Sequence, residues 1–235
     1  MNVAVILAGG TGTRAGLEIP KQYYEVNGKP VIFYCLHTFL LHEKIDSVQI
    51  VADRMWHEYI MQHLFVLPCS EKFRGFSASG ENRQLSIYHA LTDIREYASE
   101  DSFVIIHDTA RPCVTALQIA DCLKTAKGHD STLPVFPMKD TAYLSEDGKV
   151  VSSLLDREKL FAGQAPEVFL LGRYYEANRV LLLDKILEIN GSMESAVIAG
   201  KDIAMISGDE RNFKITTAAD LEHFREIVQK DRCMT

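Results

Sequence analysis

No block of clustered lysine and arginine occurs in this chain, and its five cysteines, Cys35, Cys69, Cys113, Cys122 and Cys233, contain no C-x-x-C pair. The odd count and irregular spacing fit reduced, mostly structural thiols. With a formal charge of −7 and no basic tract, the surface is not built to neutralise a nucleic-acid backbone, although a small phosphorylated ligand in a locally basic pocket remains compatible. No stretch approaches the roughly 18 apolar residues of a membrane span. The apolar run before the first glycines is too short for a signal peptide. The expectation is a cytoplasmic protein with no nucleic-acid or membrane partner. Internal repeats and low-complexity tracts are also lacking. At 235 residues, 47% hydrophobic and 24% charged, the chain is large enough for one sizeable α/β core, read as a single domain over 1–235.

What is present begins with Leu7-Ala8-Gly9-Gly10-Thr11-Gly12-Thr13-Arg14, followed by Pro20-Lys21-Gln22. It leaves the run Val3-Ala4-Val5-Ile6-Leu7, whose β-branching and lack of alternation suit a strand buried on both faces. Glycines in such a turn let backbone N–H groups converge on an anion, because no Cβ holds the phosphates away. Arg14 and Lys21 add two cations able to hold a triphosphate. Two other readings compete. One is a structural turn with no ligand. The other is the dinucleotide fingerprint, formally matched by Gly10-x-Gly12-x-x-Ala15; it needs a helix running on from the glycines, which Gly16 and Pro20 interrupt. No Gly-Lys-Ser/Thr follows, so a Walker-type P-loop is absent.

Further along, Pro30 starts a helix to about His42. Ser47–Ala52 reads as a strand, a helix carries Trp56, Ile60 and Leu64 on one face, and Phe73–Ala78 is a third strand. The polar turn 79–86 leads to a helix ending near Tyr97. Phe103–His107 is an apolar strand ending in Asp108-Thr-Ala-Arg111-Pro112, so Asp108 and Arg111 project where open α/β sheets bind ligands and share a site with the glycine loop. A helix at about 115–127 and a strand at 132–136 continue the alternation. This predicts a doubly wound, mostly parallel α/β sheet, a Rossmann-like single layer with right-handed crossovers. From 142 to 169 the pattern becomes hairpin-like, with Glu146-Asp147-Gly148 as the turn. This protruding arm, centred on about 140–165, is either a dimerisation arm or a surface flap. Helices at 172–188 and 192–199, a strand at 202–206, and a helix capped by Thr217 and running through Gln229 complete the reading.

Taken together, Leu7–Arg14, Pro20-Lys21-Gln22, Gly80–Ser86, His107–Pro112, Asp140-Thr141, Arg157, Gly163–Pro166 and Asn212–Thr217 resemble the polyol-phosphate cytidylyltransferases. These are the enzymes that activate ribitol 5-phosphate or 2-C-methyl-D-erythritol 4-phosphate. The resemblance runs nearly end to end and implies transfer of CMP from CTP to a small phosphorylated polyol, with Mg²⁺ and pyrophosphate release. By resemblance, Arg14, Lys21 and Lys214 are catalytic cations, and Ala8, Gly9, Gly10, Thr11, Gly12, Gly80, Arg83, Ser86 and Asp108 contact the nucleotide. Ala8, Gly80 and Ser86 would read the base. Asp108 would also lie near the metal and the acceptor, beside Arg111 and Thr141. Arg157 would reach across a homodimer interface, making a shared active site.

Each position has a plainer alternative. Arg157 reads equally as a solvated charge, Asp108 as a helix cap, Lys214 as a strand-end charge, and His107 as a packed strand residue. The chain departs from the erythritol branch at Glu81 and at Ser192-Met193-Glu194-Ser195, which replaces an acidic block. Leu7–Arg14, Phe161–Gln164 and Gly200–Met205 look closer to the ribitol branch, which makes CDP-ribitol for a cell-surface polymer. The alternative within the family is the methylerythritol enzyme of isoprenoid biosynthesis. Outside this class stand an NAD(P)-binding oxidoreductase and a catalytically silent nucleotide-binding protein.

Overall fold

The computed structural model describes residues 1–10, 19–182 and 185–230. Strand β1 (Asn2–Leu7) is the central apolar run. A short turn at Lys21–Tyr23 leads to the two-residue strands β2 (Glu25–Val26) and β3 (Lys29–Pro30). Helix α1 (Val31–Leu41) follows Pro30, whose ring fixes φ and whose missing N–H costs nothing at a helix start. Then come β4 (Ser47–Val51), α2 (His57–Leu64), β5 (Phe73–Ser77), α3 (Arg83–Ile94), β6 (Phe103–Asp108), α4 (Ala116–Ala126) and β7 (Ser131–Pro137). Among the described residues, no helix is long and apolar enough to cross a membrane.

Strands β6, β1, β4 and β5 lie side by side and parallel, with Leu7 paired to both Asp108 and Val51, and Val51 paired to Ser77. Their carboxyl ends therefore form one rim. Alternation along β1 splits the core: Ala4 and Ile6 face the side covered by Leu36, Phe39 and Ile60, and Val3 and Val5 face Ile87, Leu91 and Tyr174. Both faces are thus buried under helices. Each fully covered side chain of the size of Phe39 or Ile50 contributes about 1.5–3 kcal/mol.

The segment read as an arm contains two kinds of strand pairing. Strands β8 (Tyr143–Leu144) and β9 (Ser153–Leu154) form a ladder outside the main sheet. Asp147 Oδ1 organises the turn by accepting from the N–H groups of Lys149 and Val150 at 2.8 and 3.0 Å. Beyond it, β10 (Phe161–Gly163) and β11 (Glu167–Leu170) return to the eight-stranded main sheet, running antiparallel to β7. Strand β11 also pairs antiparallel with β6, so residues 161–169 are sheet rather than protrusion. Two short strands show no period of their own. Packing decides instead, through buried Val168 and Phe169, whose ring stacks on Tyr174 at 3.7 Å.

The predicted helix 172–188 is also shorter. Helix α5 spans Leu171–Arg179, and the chain then turns so that Leu181, Ile186 and Ile189 pack against Leu85 and Tyr88 of α3. Helix α6 (Glu194–Ile198), strand β12 (Ile203–Ser207), parallel to β7, and helix α7 (Ala218–Lys230) complete the chain. Thr217 Oγ1 accepts from Asp220 N–H at 3.3 Å while Asp220 Oδ2 accepts from Thr217 N–H at 2.7 Å, a reciprocal cap of α7.

Candidate active site

A cavity of about 370 Å³ opens at the common rim of β1, β4 and β6. Gly9 and Gly10 line one wall, Gly80, Glu81, Asn82, Arg83 and Ser86 another, and Asp108, Thr109 and Ala110 a third. Lys21 and Lys214 complete it, so eight of the residues expected from the sequence meet here: Gly9, Gly10, Lys21, Gly80, Arg83, Ser86, Asp108 and Lys214. Thr11, Gly12 and Arg14 lie outside the described residues.

The glycine loop is held from behind by the motif that follows it. Gln22 Nε2 donates to the carbonyls of Ala8 and Gly10 at 2.7 and 2.6 Å, and the Tyr23 hydroxyl donates to Ala8 O at 2.9 Å. Ala8 N–H donates in turn to Val51 O at 2.8 Å. Both backbone groups of Ala8 are therefore engaged in holding the loop. Gln22 carries the role that sequence reasoning missed, although its block had been singled out.

The opposite wall is the start of α3. Asn82 caps it by accepting from Leu85 N–H at 2.8 Å, and its Nδ2 donates to Ile186 O at 2.8 Å. Gly80 N–H donates to Ser86 Oγ, which donates to Asn82 O, both at 2.9 Å. Gln84, buried behind this wall, donates to Tyr174 Oη, Asn178 Oδ1 and Ser195 Oγ. Ser192 and Ser195, the departure from the acidic block, are thus buried within a polar network supporting α3. At Gly80 a Cβ would come within 2.7 Å of Leu85 Cβ and Cγ. Gly80→Ala is expected to push the cap outward and weaken nucleotide binding by about 1–3 kcal/mol, the scale of an overpacked site. Titration calorimetry checks it, and unchanged affinity would mean that Leu85 yields freely.

Asp108 anchors the third wall. Its Oδ1 accepts from Arg83 Nε at 3.0 Å and lies 3.0 Å from Arg83 Nη2, while Oδ2 accepts from Lys214 Nζ at 2.8 Å. Burial alone would push this carboxyl up, but Arg83 and Lys214 outweigh it and hold Asp108 far below the usual carboxylate range. The helix-cap alternative for Asp108 does not apply, because Thr115 caps α4 by accepting from Gln118 N–H at 3.2 Å. Lys214 likewise faces the cavity rather than bulk solvent alone. His107 is a packed strand residue: fully buried, it leans on the Phe39 ring, and burial pulls its imidazole down to about 4.

A second carboxylate, missed from sequence, sits beneath. Glu167 Oε2 lies 3.7 Å from Arg83 Nη2 and has no hydrogen-bond partner. Burial, only partly offset by Arg83, pushes it up to about 7. The detectable signal was a charge opening the apolar run Val168-Phe169-Leu170. A carboxyl raised in the folded state keeps a proton that the unfolded chain has lost, so its contribution to stability falls as pH rises. The stability of the wild type relative to Glu167→Gln is therefore expected to decline from about pH 4.5 to about pH 7 and then level off. Chemical denaturation across that range checks it, and a flat difference would contradict the burial argument.

The structure does not bring Arg111, Thr141 or Arg157 into this cavity. Arg111 Nη1 donates to Asn212 O at 2.8 Å. Thr141 is exposed, and Arg157, also exposed, donates to Lys139 O at 3.0 Å, close to Thr141 along the arm.

A rim of parallel strands, a glycine loop and converging cations suit a nucleotide polyphosphate. Residues 2–230 match the family described as IspD, 2-C-methyl-D-erythritol 4-phosphate cytidylyltransferase. The chain belongs to this family. It is therefore a nucleotidyltransferase of the cytidylyltransferase class, which sets aside the oxidoreductase reading of the glycines. A ribitol-5-phosphate cytidylyltransferase of Vibrio parahaemolyticus is 33% identical over 229 residues, covering 97% of this chain and 96% of the relative. One from Streptococcus agalactiae serotype III is 31% identical over 228 residues, covering 97% and 95%. A 2-C-methyl-D-erythritol 4-phosphate cytidylyltransferase of Lachnospira eligens is 32% identical over 226 residues, covering 94% and 96%. The solved structure of the Francisella tularensis 2-C-methyl-D-erythritol 4-phosphate cytidylyltransferase shares the fold, with a TM-score of 0.80 at 24% identity over 96% of this chain and 98% of that one.

Proposed function

We propose that this protein transfers CMP from CTP to ribitol 5-phosphate, releasing pyrophosphate and forming CDP-ribitol. The observation that carries the nucleotide half is the cluster of Lys21, Arg83 and Lys214 around a glycine-walled cavity with Asp108 at its side. A phosphate oxygen of the acceptor attacks the α-phosphorus in line. The protein has to align two polyanions and stabilise the charge that develops at a five-coordinate phosphorus. Lys21 and Lys214 supply that charge. Asp108 holds Lys214 and Arg83 in place, and the loop fixed by Gln22 lines the phosphate side. The described residues contain no group of three His, Cys, Asp or Glu able to hold a metal alone. Mg²⁺ needs only one or two carboxylates when substrate phosphates provide the other ligands. Asp108 is the nearby carboxylate, and because its oxygens already accept from Arg83 and Lys214 the metal would be held mostly through the CTP phosphates. Bound there with CTP, Mg²⁺ would neutralise phosphate oxygens.

The ribitol acceptor is supported by the names of several relatives and by the branch-like stretches Leu7–Arg14, Phe161–Gln164 and Gly200–Met205. The methylerythritol acceptor remains the second reading, favoured by the Lachnospira relative at similar identity. Turnover of the two polyol phosphates compared on one preparation tests the choice; a clear preference for the methylerythritol substrate would overturn it.

On the acceptor side, Arg111 adds a cation beside Asn212, and Thr141 and Arg157 enter from the arm of a second subunit. The exposed apolar residues of the arm, Tyr143 at 60% and Leu154 at 66% among them, are in keeping with a homodimer. The chain acts as one catalytic unit with this arm. We take it to be cytoplasmic, in keeping with the free thiols of Cys35, Cys69, Cys113 and Cys122.

A further inference from the structure

Strand register brings a second carboxylate under the nucleotide cavity. Glu167, the first residue of β11, pairs directly with Ile106 of β6, and Asp108 stands two residues further along β6. Opposed residues in an antiparallel pair, and residues two apart on one strand, share a face. Ile106, Asp108 and Glu167 therefore project toward the helix that covers that face, α3, whose core residues Ile87 and Leu91 pack with Ile106. Arg83 is the first residue of α3, and its guanidinium lies between the two carboxylates, 3.0 Å from Asp108 Oδ1 and 3.7 Å from Glu167 Oε2.

The two acids are not equivalent. Both oxygens of Asp108 are taken, by Arg83 and Lys214, and Asp108 lines the cavity. Glu167 is buried below it, with Oε2 lacking any hydrogen bond and with Arg83 as its ion-pair partner. The other charges that reach it come from Asp108, Arg111 and Lys214. A buried carboxylate held by an ion pair as long as 3.7 Å, with no hydrogen bond to that oxygen, is costly. Replacing it with an isosteric amide would relieve that cost, so its presence calls for a role.

We propose that Glu167 is a positioning residue: from beneath, it draws the Arg83 guanidinium toward the sheet, shares its charge with Asp108, and so limits how tightly the cavity grips a polyphosphate. A charge at this depth acts at low dielectric and is poorly screened by salt. Moderated grip matters for a reaction whose product, pyrophosphate, must leave the same cations that bind the substrate; uniform tightening of substrate and product does not raise turnover. This inference rests on the proposed nucleotide chemistry only in naming CTP as the ligand.

The test is a mutant cycle read by calorimetric affinity for CTP with Mg²⁺ and, separately, for inorganic pyrophosphate, at pH 8.5. Glu167→Gln is expected to bind both about threefold to tenfold more tightly than wild type, the range of coupling between neighbouring charged groups, with kcat lowered rather than raised. Glu167→Asp, which keeps the charge, is expected to stay near wild type. In the Arg83→Lys background, where the fork is lost, the gain from Glu167→Gln is expected to shrink. Unchanged or weaker binding by Glu167→Gln would overturn the proposal, as would equal tightening by Glu167→Asp or an undiminished gain in the Arg83→Lys background. Failure of the wild type to bind CTP would instead strike the proposed function, and the pyrophosphate cycle would still test Glu167.

Discussion

Lys214→Ala is expected to lower kcat about a hundredfold while changing CTP affinity far less. Lys214 Nζ donates to Asp108 Oδ2 at 2.8 Å and borders the cavity, so the cation is fixed in orientation before substrate arrives. Negative charge around the α-phosphorus grows toward the transition state, and an interaction that strengthens with it is read in kcat rather than in binding. Loss of one such pre-oriented group costs about 3 kcal/mol. Asp108 keeps its contacts to Arg83 in the variant, so its carboxylate is not left unpaired and the fold is expected to hold. Lys21→Ala, at another residue lining the cavity, is expected to behave alike. Single-turnover kinetics with separately measured CTP affinity checks both, and unchanged turnover in both variants would remove these lysines from the reaction.

Mixing two inactive variants, Arg157→Ala and Lys21→Ala, is expected to restore activity. Arg157 is held on the arm by its bond to Lys139 O, apart from the cavity of its own chain. If it serves the partner's site, one site of each mixed dimer carries both native residues. Random exchange of equal amounts makes half of the dimers mixed, with one competent site each, so recovery to about a quarter of the wild-type rate is the expected ceiling. Arg157→Lys is expected to impair acceptor use on its own, since an ammonium lacks the bidentate fork that matches a phosphate. A fully active monomer, or no recovery after verified subunit exchange, would rule out the shared site while leaving the nucleotide half intact.

The parallel half of the fold was legible because its strands are written as apolar runs. Val3–Leu7 and Phe103–His107 need no partner to be read as doubly buried, and Pro30 marks a helix start by local chemistry. Residues 161–170 were not legible, since β10 and β11 are too short to carry a period and owe their place to pairing with β7 and β6. The same limit hid Glu167. Its relation to Asp108 exists only through the register of β11 on β6, a contact between distant parts of the chain. The glycine loop, Lys21 and Asp108 could be read from motifs, whereas the structural use of both backbone groups of Ala8 could not. At the departure from the acidic block, the buried use of Ser192 and Ser195 to support α3, through Tyr174 and Gln84, likewise exists only in the folded chain.

The most direct test of the central claim is product formation. CTP, Mg²⁺ and the protein are incubated with ribitol 5-phosphate or with 2-C-methyl-D-erythritol 4-phosphate, and pyrophosphate and CDP-linked product are followed together by phosphorus NMR. The account predicts equimolar pyrophosphate and CDP-polyol, formed only when a polyol phosphate is present and faster with ribitol 5-phosphate. Tight CTP binding with no pyrophosphate from either acceptor would contradict it.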